Sequence, residues 1–139
     1  MRRRTRYVLT ARAAADLREA RSWSRARWGK DLTRRYFDDL HQGAQFIAEN
    51  QRALRGRPEL AGGSALLMYP VREHYIVYEP LGEGFIAVVA VIRQGRDVPT
   101  ILRKWSVPIR RELVEIRARI ERGEIKPPTP STVRSRRKK

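Results

Sequence analysis

From Ala11 to about Trp28, the residues Ala13, Leu17, Ala20 and Ser24 recur at helical spacing, while Arg12, Arg18, Glu19, Arg25 and Arg27 fall largely outside that stripe. A narrow stripe of this kind predicts a helix that buries one face. Thr10 is a good N-cap residue in front of it, and Gly29 supplies the left-handed position that commonly ends a helix. A second helix is predicted over about 31–50. Leu32, Tyr36, Leu40, Ala44 and Ile47 share one face, Phe37 lies alongside, and Asp31 is placed to cap the start. Two helices joined by so short a turn pack antiparallel as a helical hairpin. Each is too weakly apolar to stand alone, so the hairpin needs a surface to pack on.

Strand patterns supply that surface. Arg6-Tyr7-Val8-Leu9 reads as a short strand feeding the first helix. After a loop over 50–64, punctuated by Gly56, Pro58, Gly62 and Gly63, three strand-like runs follow: Ala65–Tyr69, Arg72–Glu79 and Phe85–Arg93. Leu81-Gly82-Glu83-Gly84 joins the last two as a hairpin turn. In the middle run His74, Ile76 and Tyr78 alternate with Tyr75, Val77 and Glu79. In the last run Ile86, Val88, Ala90 and Ile92 are expected on one face, with Phe85, Ala87, Val89 and Val91 on the other. Both faces are apolar, the mark of a central strand covered on each side. The order strand, helix, helix, strand, strand, strand gives an α+β domain: an N-terminal strand and an antiparallel helical hairpin packed on an antiparallel β-sheet.

An additional C-terminal helix is expected over 108–123, where Pro108 suits a first turn and Ile109, Leu113, Ile116 and Ile120 form an apolar stripe. Arg110, Arg111, Arg117, Arg119 and Arg122 occupy its polar side. Beyond it, Pro127-Pro128-Thr129-Pro130 and Ser135-Arg136-Arg137-Lys138-Lys139 read as an extended basic tail. The chain thus divides into a domain over 1–103, an amphipathic extension over 104–123 and a disordered tail over 124–139.

Charge adds a constraint that periodicity lacks. The 139 residues hold 31 Lys and Arg against 15 Asp and Glu, a formal net charge of +16. Residues 108–139 alone carry 11 Lys and Arg against 4 Asp and Glu. Such an excess attracts polyanions, either nucleic acid or an acidic protein segment. Non-specific nucleic-acid binding is the natural expectation for the tail; a solvated basic surface is the plainer alternative. No apolar run approaches the ~18 residues of a membrane-spanning helix. No signal-peptide core follows the basic start, and cysteine is absent, as suits a cytoplasmic protein with no membrane partner.

The catalytic inventory is short. His41 and His74 without cysteine make no zinc site of the usual spacing, and Asp38 and Asp39 point in different directions from adjacent helical positions. No phosphate-binding glycine loop or nucleophile elbow is present. No metal or cofactor is implied. One constellation remains near the strand ends: Arg72, His74, Tyr75, Arg93, Arg96 and Asp97. Arg and His there could hold a phosphate and move a proton, as metal-free ribonucleases require. Equally, Tyr75 could be half-buried on the sheet, the arginines surface charges, and Asp97 the partner of Arg93 or Arg96.

Taken in order, several stretches resemble the RelE/ParE superfamily of toxins from type II toxin–antitoxin pairs, closer to the ParE branch. They are Tyr7-Val8-Leu9-Thr10, Ala15-Asp16-Leu17, Trp28-Gly29, His74-Tyr75-Ile76-Val77-Tyr78 and Val91-Ile92-Arg93-Gln94-Gly95-Arg96-Asp97-Val98-Pro99. The resemblance covers about residues 6–102. It implies a toxin that binds DNA gyrase and stabilises its cleavage complex without catalysing a reaction. Its partner would be a cognate acidic antitoxin that lays an amphipathic segment against the hairpin and sheet, and antitoxin-bound copies could form homo-oligomers. RelE-type ribonucleases carry a tyrosine shortly after the last strand, where this chain has Ile101 and Leu102. Arg93 also replaces the histidine that often follows the family's last strand.

On the gyrase reading, the binding surface would draw on Trp23, Trp28, Arg72, Tyr75, Arg93 and Arg96, with the tryptophans as interface anchors or as core. On the alternative reading, a ribosome-dependent mRNA endoribonuclease, Arg72, His74, Arg93 and Arg96 would be catalytic. A third reading is an inactive, repurposed toxin fold, with the extension lying over the sheet or mediating self-association.

Overall fold

The computed structural model describes residues 5–54 and 66–128. Most of the expected 50–64 loop and the tail from 129 onward lie outside those residues. In chain order the elements are β1 (Tyr7–Leu9), α1 (Ala11–Trp28), α2 (Lys30–Glu49), α3 (Gln51–Leu54), β2 (Leu67–Val71), β3 (His74–Gly82), β4 (Phe85–Arg93), α4 (Val98–Lys104) and α5 (Ser106–Glu121).

The four strands form one sheet in the order β1-β4-β3-β2. β2, β3 and β4 make the antiparallel meander that the hairpin signals predict. β1 instead runs parallel to β4, with Tyr7, Val8 and Leu9 opposite Ile86, Ala87 and Val88, so the sheet is mixed. No tight turn links β1 to β4, and the helical hairpin between them acts as the long crossover that parallel pairing requires. β2 continues through Pro70 to Val71, where the sequence places a stop at Tyr69; an edge strand tolerates a residue without an N–H.

β4 departs from simple alternation. Val77 pairs with Ala90 but Tyr78 pairs with Val88, leaving Val89 as an extra residue in a β-bulge. Side chains beyond it swap faces. Ile86 and Val88 share a face with Val91, packed with Ile76 and Tyr78 against Ala13, Ala44, Ile47 and Ala48 of the hairpin. Ala87, Val89, Ala90 and Ile92 turn to the other face. The expected grouping of Ala90 and Ile92 with Ile86 and Val88 is therefore corrected, because the bulge shifts the period-2 pattern by one.

Thr10 holds the bulge in place. Fully buried, it gives its backbone N–H to Val88 O at 3.0 Å and its hydroxyl to Val89 O at 3.0 Å. The same Oγ1 accepts the Ala13 N–H at 3.1 Å, which makes Thr10 the N-cap of α1 as expected. Gly29, at φ 89°, separates α1 from α2. Asp31 does not cap α2; it pairs with Arg34 inside the first turn, and Gly29 is the capping residue. Tyr36, Leu40, Ala44 and Ile47 are buried as predicted, whereas Leu32 is 50% exposed because the stripe runs past the sheet at that end.

The second sheet face is covered by α4 and α5. The sequence pattern did not mark α4, yet Asp97 caps it, accepting the Thr100 N–H on Oδ1 and the Thr100 hydroxyl on Oδ2 at 2.8 Å. Asp97 therefore fixes a helix start in place of pairing Arg93 or Arg96. Val98, Leu102, Ile109 and Leu113 pack with Met68, Val77, Val89 and Ile92. α5 begins at Ser106, two residues before the expected start. Both carboxylate oxygens of Glu112 accept the Ala11 N–H, at 3.0 and 2.8 Å, and Arg117 pairs with Glu79 at 2.7 Å. α5 thus ties the start of α1 to β3 across the sheet.

Because the Thr10 hydroxyl serves both the bulge and the helix cap, Thr10→Val is expected to cost about 1–3 kcal/mol in urea unfolding, while Thr10→Ser retains most of the stability. A loss in Thr10→Ser with none in Thr10→Val would assign the effect to packing of the methyl group.

Candidate functional site

The bulge also shapes a cleft. β1 covers the edge of β4 only as far as Val88, so the strand beyond the bulge has no neighbouring strand on that side. α1 passes along one flank and α4 with the start of α5 along the other, enclosing about 370 Å³. Past the bulge Val91 directs its N–H to this open edge, where Asp16 Oδ2 accepts it at 3.0 Å. Arg12 holds the other oxygen of Asp16 through Nε at 2.9 Å and Nη2 at 2.6 Å. Burial raises the Asp16 pKa, and the hydrogen bonds from Val91 and Arg12 oppose that rise.

The mouth of the cleft is cationic and aromatic. Trp23, 38% exposed on α1, has the guanidiniums of Arg93 and Arg27 each 4.6 Å from its ring. Across the cleft, Trp105 carries Arg12 at 4.5 Å and the Lys104 ammonium at 5.9 Å. Arg96 completes the rim, and Glu19 adds a carboxylate. These contacts are attractions between cations and the ring quadrupole, which let charges gather without carboxylate partners.

His74 lies at the inner end, 8% exposed and opposite Arg93 in the sheet. Tyr36 hydroxyl accepts the Glu73 N–H at 3.1 Å and shares a hydrogen bond with His74 Nδ1, 2.5 Å away. Burial first, and Arg93 second, lower the His74 pKa.

The structure brings Trp23, His74, Arg93 and Arg96 to one cleft, but not the other candidates. Arg72 occupies the β2–β3 turn at φ 58°, its guanidinium 5.0 Å from the Tyr36 ring and 3.6 Å from Asp39, outside the cleft lining. Through Tyr36, whose hydroxyl meets His74, it borders the cleft residues without lining the cleft itself. Trp28 stacks edge-on to Trp23 at 5.6 Å and meets Tyr36 at 5.5 Å, bracing the hairpin. Tyr75 packs on the opposite sheet face, since odd-numbered residues of β3 there point away from the hairpin. Arg12, Asp16, Lys104 and Trp105 were not singled out as site residues in the sequence. Trp105, an aromatic inside the basic run Arg103-Lys104-Trp105, was the available signal.

A second, more apolar groove of about 290 Å³ opens between α1 and α2, lined by Tyr7, Leu9, Leu17, Phe37 and Leu40. Tyr7 hydroxyl meets His41 Nδ1 there at 2.6 Å.

The chain is thus a strand-fed helical hairpin on a four-stranded sheet, with a basic cleft at the sheet's open edge. The sequence profile described as "ParE toxin of type II toxin-antitoxin system, parDE" matches residues 7–98. "Toxin ParE" of Escherichia coli is 35% identical over 98 residues, 70% of this chain and 93% of the relative. "Toxin ParE1" of Mycobacterium tuberculosis is 34% identical over 94 residues, 68% of this chain and 94% of the relative. A solved structure titled "Chromosomal ParDE TA system from P. aeruginosa" superposes with a TM-score of 0.50 at 16% identity, covering 63% of this chain and 92% of that one. The chain belongs to the ParE toxin family of type II toxin–antitoxin systems. Among the described residues no helix is long and apolar enough to cross a membrane.

The lowered His74 pKa has a definite sign. An unfolded chain takes up this proton near pH 6.5 while the folded one resists it, so stability falls as pH drops below about 6.5 toward the folded pKa. His74→Gln, compared with the wild type by urea unfolding at several pH values, is expected to lose that component of the slope. Parallel profiles would show that the two states bind the His74 proton alike.

Proposed function

We propose that this chain arrests bacterial growth by binding DNA gyrase and stabilising the enzyme's cleavage complex, and that a cognate acidic antitoxin neutralises it in the cytoplasm. The observation that carries the proposal is the family match over 7–98, which spans the helical hairpin and the whole sheet. Side-chain geometry supports binding more than catalysis. His74 is buried, neutral and engaged at Nδ1 by Tyr36, so it is poorly placed to trade protons with a substrate. Arg72, the further cation a ribonuclease set would need, is committed to Tyr36 and Asp39.

The antitoxin would use the groove between α1 and α2. Leu9, Leu17 and Phe37 there offer apolar contacts to one face of an amphipathic helix. Opposite net charge would speed encounter more than it would deepen affinity. Homo-oligomers of toxin–antitoxin complexes are compatible with that mode.

Inducible expression in a bacterial host, with separate reporters for DNA damage and mRNA cleavage, tests the target. Growth arrest with a DNA-damage response and intact mRNA is expected, together with protein-linked cleaved DNA when purified gyrase is added. Arrest with cleaved mRNA would replace this reading with the ribonuclease one. Unimpaired growth with soluble protein would mark a repurposed toxin fold.

A further inference from the structure

We propose that the cleft between α1 and α4 binds single-stranded nucleic acid along its phosphodiester backbone. This goes beyond the gyrase reading and stands without it. The first observation is the state of the cations at the cleft mouth. Arg93, Arg96 and Lys104 line it and Arg27 extends the row over Trp23, yet among the described residues none of the four has a carboxylate partner. Carboxylates engage arginines elsewhere in the same fold, at Arg12–Asp16, Arg34–Asp31 and Arg117–Glu79. Arg27 and Arg93 are held by the Trp23 face and Lys104 approaches that of Trp105, contacts that position them while leaving their N–H donors free for an external anion.

The second observation is the floor. Ala90, Val91, Ile92, Leu102 and Ile109 are all buried by α1, α4 and α5, so a helix seeking an apolar groove finds little surface here. Asp16 already occupies the Val91 N–H, closing the ladder position at which an extended peptide would begin to add as a strand. An acidic peptide thus loses both of its usual modes of docking. A nucleic-acid backbone needs neither: phosphates spaced along a cleft require cations spaced along its rim. The cleft, about 370 Å³ between two helices, is narrow enough to admit a single strand more readily than a rigid duplex. Lys104, Trp105 and Ile109, beyond the 7–98 span of the family match, line one wall of the cleft, while Trp23, Arg93 and Arg96 lie within that span.

The test is a titration of the full-length protein with a fluorescein-labelled oligothymidylate, read by anisotropy over a range of salt. Binding is expected to weaken as salt rises. Arg93→Ala/Arg96→Ala removes two exposed cations and is expected to weaken binding about tenfold at low salt. The slope of log K against log salt should fall by about 1.4, since each phosphate contact contributes about 0.7 for a single strand. Glu19→Gln is expected to tighten binding by a few-fold. Arg34→Ala/Arg119→Ala, an equal loss of charge outside the cleft, separates the site from the chain's net charge and from the basic tail, which every variant retains.

Equal losses for the two double variants, duplex binding at least as tight as single-strand binding, or preferential binding of a polyglutamate peptide would each overturn the proposal. Because the titration contains no gyrase, its failure and the failure of the gyrase reading are seen separately.

Discussion

A single hydroxyl group joins three parts of this fold. Thr10 ends β1, caps α1 and bonds the carbonyl of Val89 at the bulge of β4. A buried carbonyl at a bulge has lost its ladder partner, and leaving it unpaired would carry a desolvation cost of about 1–3 kcal/mol. The bulge in turn moves Ala90 and Ile92 onto the face covered by α4 and α5 and returns Val91 to the hairpin face. It also turns the Val91 N–H toward α1, where Asp16 meets it. Core partition and cleft geometry therefore follow from the same extra residue in one strand.

Covering the second face is the work of the segment after Asp97. The family match ends at 98, and the Escherichia coli and Mycobacterium tuberculosis relatives are spanned almost end to end by 70% or less of this chain. In this protein α5 is bound into the core by Ile109 and Leu113 and is anchored at both sides by Glu112 on Ala11 and Arg117 on Glu79. The Glu112 anchor has an electrostatic logic, because α1 has no acidic residue in its own first turn. A carboxylate from another helix supplies the negative charge that the helix N-terminus favours. The extension is thus a third layer of the domain, and its first residues serve as one wall of the cleft.

Much of this was legible in the residues. Helical stripes placed α1 exactly as far as Trp28 because Thr10 and Gly29 punctuate both ends. The apolar run 85–93 marked the central strand because both of its faces are buried. The bulge was not legible, since a continuous apolar run carries no period that an inserted residue could break. α4 escaped because seven residues are too few to show periodicity; Pro99 stands in its first turn, which tolerates a proline. At the site, Trp23, Arg93 and Arg96 could be picked out by residue type. Lys104 and Trp105 offered only the signal of an aromatic in a basic run, and their approach to α1 depends on α4 packing under the sheet. Tyr75 faces away from the hairpin, as the alternation of β3 implies, and the left-handed backbone of Arg72 sets the direction of its side chain.

The distribution of charge gives the cleft its meaning. With 31 basic side chains and 15 acidic ones, most carboxylates could be matched and many cations could not. Unmatched cations lower their repulsion by spreading over the surface, so gathering several at one concave site opposes that tendency. Trp23 and Trp105 offset part of the cost through their ring faces, and water in the open cleft screens more of it. His74, drawn into the same neighbourhood, remains neutral because burial and the Arg93 charge both disfavour its protonation. A protonated His74 would also need to donate from Nδ1 to a Tyr36 oxygen that already takes the Glu73 N–H, forcing the hydroxyl to turn its proton elsewhere. Burial first, and then the Arg93 charge that also draws an anion to the cleft, disfavour protonation of its imidazole. An arrangement of this kind is built to hold charge still, as a binding surface does, and it gives little scope for the proton traffic of an acid–base catalyst.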